Sequence, residues 1–330
     1  MTNIREVAKI AGVSPSTVSR VINGSANVEA NKRQRVLAAI EQTGFRPNEL
    51  ARALYKKSSR IIGVIVPNIE NPFFNELSKA IEEEAYQNGY RILLCNSNDN
   101  TEKEVLNIQM LRQMNADGII IITYSDKTGD ELSKCKLPVV VVDRKITGIA
   151  ATAYIESDHY KGGRLAVEHL LGCGCKNIIC LRGPLELSPG LQRYLGYRDF
   201  CREHDLEEKN INCLYDYVCG LEVSEKLLKK YPEVDGIIAC NDMVAIASYK
   251  VLTHAGYRVP EDVQIIGFDD IKFSRLFTPE FSTITQSITQ MGTLAAQIII
   301  RERKGLPFHK ENIFDVSLAA RQTTKRSVNE

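Results

Sequence analysis

Polar residues that close apolar runs are the first chemistry this sequence offers. After "IIGVIV" come Asn71-Pro72-Phe73-Phe74, and after "PVVVV" come Asp143 and Arg144. After "IIAC" come Asn241 and Asp242, and after "IIGF" come Asp269 and Asp270. Arg193, just past "LRGPLELSPG", and Gln286 extend the set. Carboxylates, amides and guanidinium groups beside aromatic faces suit a neutral polyol, whose hydroxyls both donate and accept while its C–H faces lie on rings. Each residue also has a plainer use. Asn71-Pro72 reads as an N-cap and first helical residue. Phe74 falls on the stripe Phe74, Leu77, Ile81, Ala85 and leans toward a core, which leaves Phe73 for a cleft. Asp143-Arg144 could be a surface pair, and Asn241 or Asp269 a helix cap.

These positions share a geometry only if the runs before them are parallel strands. "IIGVIV", "RILLC", "GIIII", "PVVVV", "NIICLRG", "DGIIAC" and "VQIIGF" are continuous apolar stretches separated by helical patterns. That alternation predicts buried parallel strands with helices between them, in two α/β lobes. Open parallel sheets bind ligands beyond the carboxyl ends of their strands. A polar segment at Glu156 to Asp158 marks a lobe boundary, and "STITQSIT" near 282–289 returns the chain.

The first 60 residues carry different chemistry. They hold 11 Lys+Arg against 4 Asp+Glu, a balance of +7, whereas the remainder holds 31 against 37, or −6. A basic head on an acidic body points to a polyanionic partner for the head. Ile4, Val7, Ala8 and Ala11 define one face of a first helix ended by Gly12. Ser14 then caps a second helix with Pro15 at its first position and Val18, Val21 and Ile22 on its buried face. A third carries Val36, Leu37 and Ile40 and stops at Gly44. Two helices joined by a short turn and braced by a third form a helix-turn-helix, whose second helix enters the DNA major groove. Pro15, Ser16, Thr17, Ser19 and Arg20 lie off its core stripe; Arg20 suits guanine edges, and the hydroxyls suit bases or phosphates. Asn48 can cap a short helix running through Leu50, Ala51 and Leu54, too short to be stable alone in water.

The remaining composition excludes other classes. The chain has 330 residues, too many for one small core. No apolar run approaches the roughly 18 to 20 residues of a membrane helix. The start, "MTNIREVAKI", lacks an apolar signal region, so a cytoplasmic protein with reduced cysteines is expected. No G-x-G-x-x-G follows a strand, and G-x-x-x-x-G-K-[ST], H-E-x-x-H and G-x-S-x-G are absent. His169 near Cys173 and Cys175 is the best metal candidate but lacks a convincing fourth ligand. No enzyme, cofactor or metal is expected.

"IREVAKIAGVSPSTVSRVIN" followed by "RPNELARAL" resembles the head of the lactose-repressor (LacI) family of bacterial transcription regulators, and the body resembles the sugar-binding half of that family and of periplasmic sugar-binding proteins. The match is closest to ribose-responsive members. The resemblance implies an all-α helix-turn-helix DNA-binding domain at 1–46, a hinge helix and linker at 47–60, and a two-lobed effector-binding and dimerisation domain at 61–330. In that domain lobe one spans about 61–156 and 287–316, and lobe two about 157–286 and 317–330, each built on a parallel sheet.

The DNA-binding residues it implies are Ser14, Pro15, Ser16, Thr17, Ser19, Arg20 and Asn23 in the head and Asn48, Ala51, Leu54 and Tyr55 in the hinge. Leu54 matches the minor-groove wedge. Pro15, which has no polar group, departs from the family's base-reading pattern, and Tyr55 stands where a small or basic residue is usual. The implied effector residues are Asn71, Phe73, Phe74, Asp143, Arg144, Arg193, Tyr217, Asn241, Asp269 and Gln286. The expected protein is a homodimeric repressor of sugar-utilisation genes, released from a palindromic operator by a small sugar, ribose first. The alternatives within the family are another sugar, a purine, or an accessory phosphoprotein of catabolite control.

Overall fold

Asn3 starts the chain's first helix: its side chain accepts from the backbone N–H groups of Arg5 and Glu6, and α1 (Ile4–Ala11) ends at Gly12, whose φ of 62° only glycine adopts freely. This is a computed structural model, and it describes residues 3–22, 28–45, 58–123, 125–146 and 151–326. The chain divides into two units, Met1–Ser59 and Arg60–Glu330.

In the first unit, α2 (Pro15–Ile22) begins with proline at N1, and Ser14 accepts from the Thr17 N–H at 3.2 Å. The third helix, α3 (Ala30–Thr43), stops at Gly44. Val7, Ala8, Ala11, Val18, Val21, Val36 and Ala39 form the core. Leu37, expected on the buried face of α3, is exposed; the small Ala39 takes the core position instead.

The second unit contains two six-stranded sheets. In lobe one, β1 (Ile61–Val66), β2 (Arg91–Asn96), β3 (Gly118–Ile121), β4 (Val139–Val142), β5 (Ala153–Ser157) and β11 (Glu311–Phe314) run parallel in the order β11-β5-β4-β3-β1-β2. Helices α4 (Pro72–Gln87), α5 (Thr101–Gln113) and α6 (Asp126–Ser133) connect them.

In lobe two, β6 (Ile178–Arg182), β7 (Lys209–Asn212), β8 (Gly236–Ala239), β9 (Gln264–Asp269), β10 (Ser282–Thr285) and β12 (Ser317–Ala319) take the order β12-β10-β9-β8-β6-β7. Here the sheet departs from the all-parallel expectation, because β12 pairs antiparallel with β10. Its helices are α7 (His159–Gly172), α8 (Ser188–Glu203), α9 (Tyr217–Lys230) and α10 (Asp242–His254), while α11 (Ile288–Arg303) packs back on lobe one.

The chain crosses between the lobes after β5, after β10 and after β11. All seven apolar runs read from the sequence are strands; β5, with its alternating burial, and the short β7, β10, β11 and β12 are the ones those runs did not include. One helix contact matters for the site. A Cβ at Gly163 of α7 would lie 2.0 Å from the Arg193 carbonyl, and one at Gly196 of α8 would lie 2.1 Å from the Tyr160 carbonyl. The two glycines therefore let α7 and α8 touch backbone to backbone, which seats Arg193 beside the crossing.

Candidate functional site

The carboxyl ends of β1 and β4 from lobe one face those of β8 and β9 from lobe two across a narrow cavity of about 30 Å3. A buried water needs about 10–15 Å3 on this measure, so the cavity has room for two or three. Asn71, Phe73, Phe74, Asp143, Arg144, Pro189, Arg193, Tyr215, Asn241 and Asp269 line it. The cavity therefore brings together eight of the ten expected effector residues.

Gln286 lies one step behind, its amide donating to Asp269 Oδ1 at 2.7 Å. Tyr217 does not line the cavity; Tyr215, two residues earlier, does. The reason is local. Asp216 caps α9 by accepting from the Cys219 N–H at 2.8 Å, so Tyr217 is drawn into the first turn of the helix and Tyr215 is left on the loop before it. Asn241 fixes that loop: its Nδ2 donates to the Tyr215 carbonyl at 3.2 Å, while its Oδ1 caps α10 at Val244.

Both uses of the opening aromatic motif hold together. Asn71 caps α4 through the Phe73 N–H at 3.0 Å. Phe73 and Phe74 meet edge to face at 5.2 Å, belong to the lobe-one core and line the cavity as well.

The charged groups are buried and paired. Arg193 donates to the Cys240 carbonyl at 2.6 Å, to His159 Nδ1 at 3.3 Å and to Asp269 Oδ1 at 3.3 Å, with its guanidinium 3.6 Å over the Phe268 ring. Arg144 donates to Asp99 at 2.7 Å. Burial, joined by like charge from Asp242 and Asp143, pushes Asp269 up to about 8 despite Arg193. Burial opposes the Arg193 charge, but Asp269, Tyr215, Asp143 and Cys240 together hold it above the ordinary value. The 3.3 Å contact is long for an ion pair, and burial governs the carboxyl.

Asp143 moves the other way. Burial opposes its charge, but His159, Arg193 and Arg144 hold it below the ordinary value. Burial and Arg193 lower His159. The lowered His159 favours the neutral imidazole, which leaves the two guanidinium groups as the fixed positive charges near Asp143. Behind the site, Asp242 is fully buried and accepts from Ser274 Oγ and Thr283 Oγ1, both at 2.6 Å, and from the Ile271 N–H at 3.0 Å; burial pushes it up to about 7.

Two observations single out this cavity and its surroundings. The Tyr215 hydroxyl, Asp143 Oδ1, His159 Nε2 and Gln286 Oε1 are buried with no hydrogen-bond partner among the described residues. Such groups are costly unless a ligand or water satisfies them. In addition, Asp143 and Asp269 have φ of 65° and 108°, backbone regions that side-chain-bearing residues rarely adopt.

Sequence reasoning missed His159, Pro189 and Tyr215; the Asp216 cap was the one signal that could have moved the choice from Tyr217 to Tyr215.

In the head, Pro15, Ser16 and Arg20 lie on the exposed face of α2, with Thr17 and Ser19 half-buried. Ser14 Oγ also meets Ser16 Oγ at 2.8 Å and Thr17 Oγ1 at 2.9 Å, so the cap occupies part of the expected DNA-reading set. Asn23, Asn48, Ala51, Leu54 and Tyr55 lie outside the described residues. Among the described residues no group of three His, Cys, Asp or Glu could hold a metal, and no helix is long and apolar enough to cross a membrane. His169 instead meets Thr324 Oγ1 at 2.8 Å.

Comparison with known proteins agrees with this division. Residues 3–48 match the family model for bacterial regulatory proteins of the lacI family, and residues 59–310 match that for periplasmic binding proteins and the sugar-binding domain of the LacI family. A ribose operon repressor of Halalkalibacterium halodurans is 36% identical over 331 residues, covering 100% of this chain and 99% of the relative. The transcriptional repressor PurR of Haemophilus influenzae is 36% identical over 312 residues, covering 91% and 90%. Among solved structures, a periplasmic binding protein/LacI transcriptional regulator from Alkaliphilus metalliredigens in complex with D-xylulofuranose superposes with a TM-score of 0.72 at 34% identity, covering 81% of this chain and 100% of that one. These relatives are transcription regulators and sugar-binding proteins, not enzymes. With both domains matched along nearly its whole length, the chain belongs to the lacI family of bacterial regulatory proteins.

Proposed function

We propose that this protein is a homodimeric repressor that binds a palindromic operator through α2 and the segment following α3, and that a pentose, D-ribose first, releases it. The supporting observation is the cavity between the lobes. Asp143, Arg144, Arg193 and Asp269 converge there beside Phe73 and Tyr215, whose buried hydroxyl has no hydrogen-bond partner among the described residues. A sugar hydroxyl can accept from a guanidinium and donate to a carboxylate at once, which an arrangement of alternating charge rewards. Closure of the lobes about the sugar would move the segment joining the two units and bias it against its DNA-bound form, an order-to-disorder switch driven by differential affinity. The similarity to a ribose operon repressor and to a D-xylulofuranose complex favours a five-carbon sugar.

The similarity to PurR supports a second reading, a purine effector. Three aromatic rings at the cavity would suit it, whereas two carboxyl and two guanidinium groups in so small a space suit a polyol better. Fluorescence anisotropy of the full chain on a selected operator, titrated with D-ribose, D-xylulose, D-glucose, hypoxanthine and guanine, separates the two. A pentose is expected to weaken operator binding by roughly 5- to 150-fold, the usual span of allosteric coupling. Strengthened binding with a purine would replace the pentose reading, and no response to any sugar would remove it.

A further inference from the structure

His159 opens α7, two residues past the end of β5, on the first of the three crossings between lobes. It is buried and does not line the cavity, yet it stands between charged side chains of both lobes. From lobe two, Arg193 Nε donates to its Nδ1 at 3.3 Å. From lobe one, Asp143 Oδ1 lies 3.6 Å from its Nε2, too far for a hydrogen bond. The ring is set by Phe268, 5.8 Å away.

A guanidinium is always a donor, so Nδ1 must offer its lone pair and the ring proton belongs on Nε2, facing Asp143. Both Nε2 and Asp143 Oδ1 are buried with no hydrogen-bond partner among the described residues. A donor and an acceptor, both desolvated and a few tenths of an ångström out of reach, gain by any movement that brings them together. Relative motion of the lobes is such a movement, because Asp143 follows β4 of one sheet while Arg193 is carried by α8 against the other.

We infer that His159 is a positioning residue for the cleft, whose imidazole links Arg193 of lobe two to Asp143 of lobe one and completes its Nε2–H···Oδ1 bond when the lobes close on a sugar. This rests on the reading of the cleft as a sugar site. The link stiffens the crossing in the closed arrangement and holds two effector-facing charges at a fixed separation. Sugar affinity therefore depends on a residue that does not line the cavity.

Two measurements on the full chain test this. Nitrogen-15 NMR of labelled histidines, with His159 assigned by its loss in His159→Gln, reads the ring without any sugar. The neutral Nε2–H tautomer is expected at and above pH 7, and an Nδ1–H ring or an imidazolium there would overturn the assignment. Calorimetry with D-ribose then compares the wild type, His159→Leu and His159→Gln. The leucine variant should bind D-ribose about 10- to 100-fold more weakly, the loss expected for a hydrogen bond to a charged group. Glutamine, whose carbonyl can accept from Arg193 while its amide N–H donates to Asp143, should recover most of the loss, and both variants should bind operator as the wild type does without sugar. Unchanged D-ribose affinity in the leucine variant, or an equal loss of operator binding in both variants, would overturn the inference. If the wild type itself ignores D-ribose, the ribose reading falls, and the tautomer measurement still decides the role of His159.

Discussion

Tyr215→Phe removes one oxygen and leaves the ring, so its consequences can be worked out separately for the protein alone and with sugar. Tyr215 lines the cavity, and its hydroxyl is buried with no hydrogen-bond partner among the described residues. A buried polar group left unsatisfied costs about 1–3 kcal/mol. The cavity can hold water, which places the penalty near the lower end, about 1 kcal/mol. The ring stays in place because Asn241 holds the backbone at Tyr215 and Arg193 lies 5.8 Å over its face, contacts that phenylalanine keeps. Phenylalanine should therefore raise the melting temperature by about 2–4 °C. With sugar the sign reverses. A lost hydrogen bond of about 0.5–1.5 kcal/mol weakens binding roughly 2- to 12-fold. Scanning calorimetry without sugar and isothermal titration with D-ribose read the two effects, and Tyr217→Phe serves as the control that changes neither. A variant that melts lower and binds D-ribose as the wild type does would mean that the hydroxyl is bonded within the protein and faces no ligand.

Arg20→Ala, on the exposed face of α2, should weaken operator binding far more than binding to random DNA in parallel anisotropy titrations; equal losses would reduce Arg20 to a phosphate contact. Arg144→Ala should abolish the response to D-ribose and leave operator binding intact, and normal calorimetric affinity would remove Arg144 from the pocket. The pH dependence of stability follows from Asp269 and Asp242, raised from 3.8 to about 8 and about 7. Because their folded values lie above the unfolded ones, the stability they contribute is complete below about pH 4. It is lost as pH rises toward 7 and 8, by up to about 1.4 kcal/mol per pH unit for each carboxyl. The urea midpoint should fall between pH 5 and pH 9, and Asp269→Asn or Asp242→Asn should flatten that fall; a midpoint that rises with pH would contradict the burial argument.

The strand-end rule found most of the cavity because parallel pairing leaves little freedom. Once "PVVVV" and "IIGF" lie in parallel sheets, Asp143 and Asp269 can only emerge at the same edge as Asn71 and Asn241. Residues placed by helix phase were harder to read. In α3 hydrophobicity favoured Leu37, but the close packing of three short helices took Ala39 inward. At Tyr215 and Tyr217 two identical side chains compete, and the cap at Asp216 decides between them. His159 was illegible for a different reason. Its neighbours are brought together by the crossing after β5 and by the glycine contact of α7 with α8, and neither leaves a local pattern in the sequence.

Backbone strain lies on both sides of the cleft. Asp143, Asp269 and Asp270 all have positive φ, at 65°, 108° and 55°, and strain of this kind costs on the order of 1–3 kcal/mol per residue. It persists only where neighbours overdetermine the conformation. At Asp270 those neighbours are evident: Arg321 at 2.6 Å, Arg275 at 2.7 Å and Thr285 at 3.1 Å all donate to its carboxylate. Asp242 holds the next residues through the Ile271 N–H and Ser274. The same turn reaches lobe one, where the Lys272 N–H donates to Glu76 at 2.8 Å and Ile271 packs in the lobe-one core. The Asp269 carboxyl, which lines the cleft on a strained backbone, therefore shares its restraints with a contact between the lobes. A ligand that shifted Asp269 would work against Asp270 and the turn behind it, and would thereby bear on the relative position of the lobes.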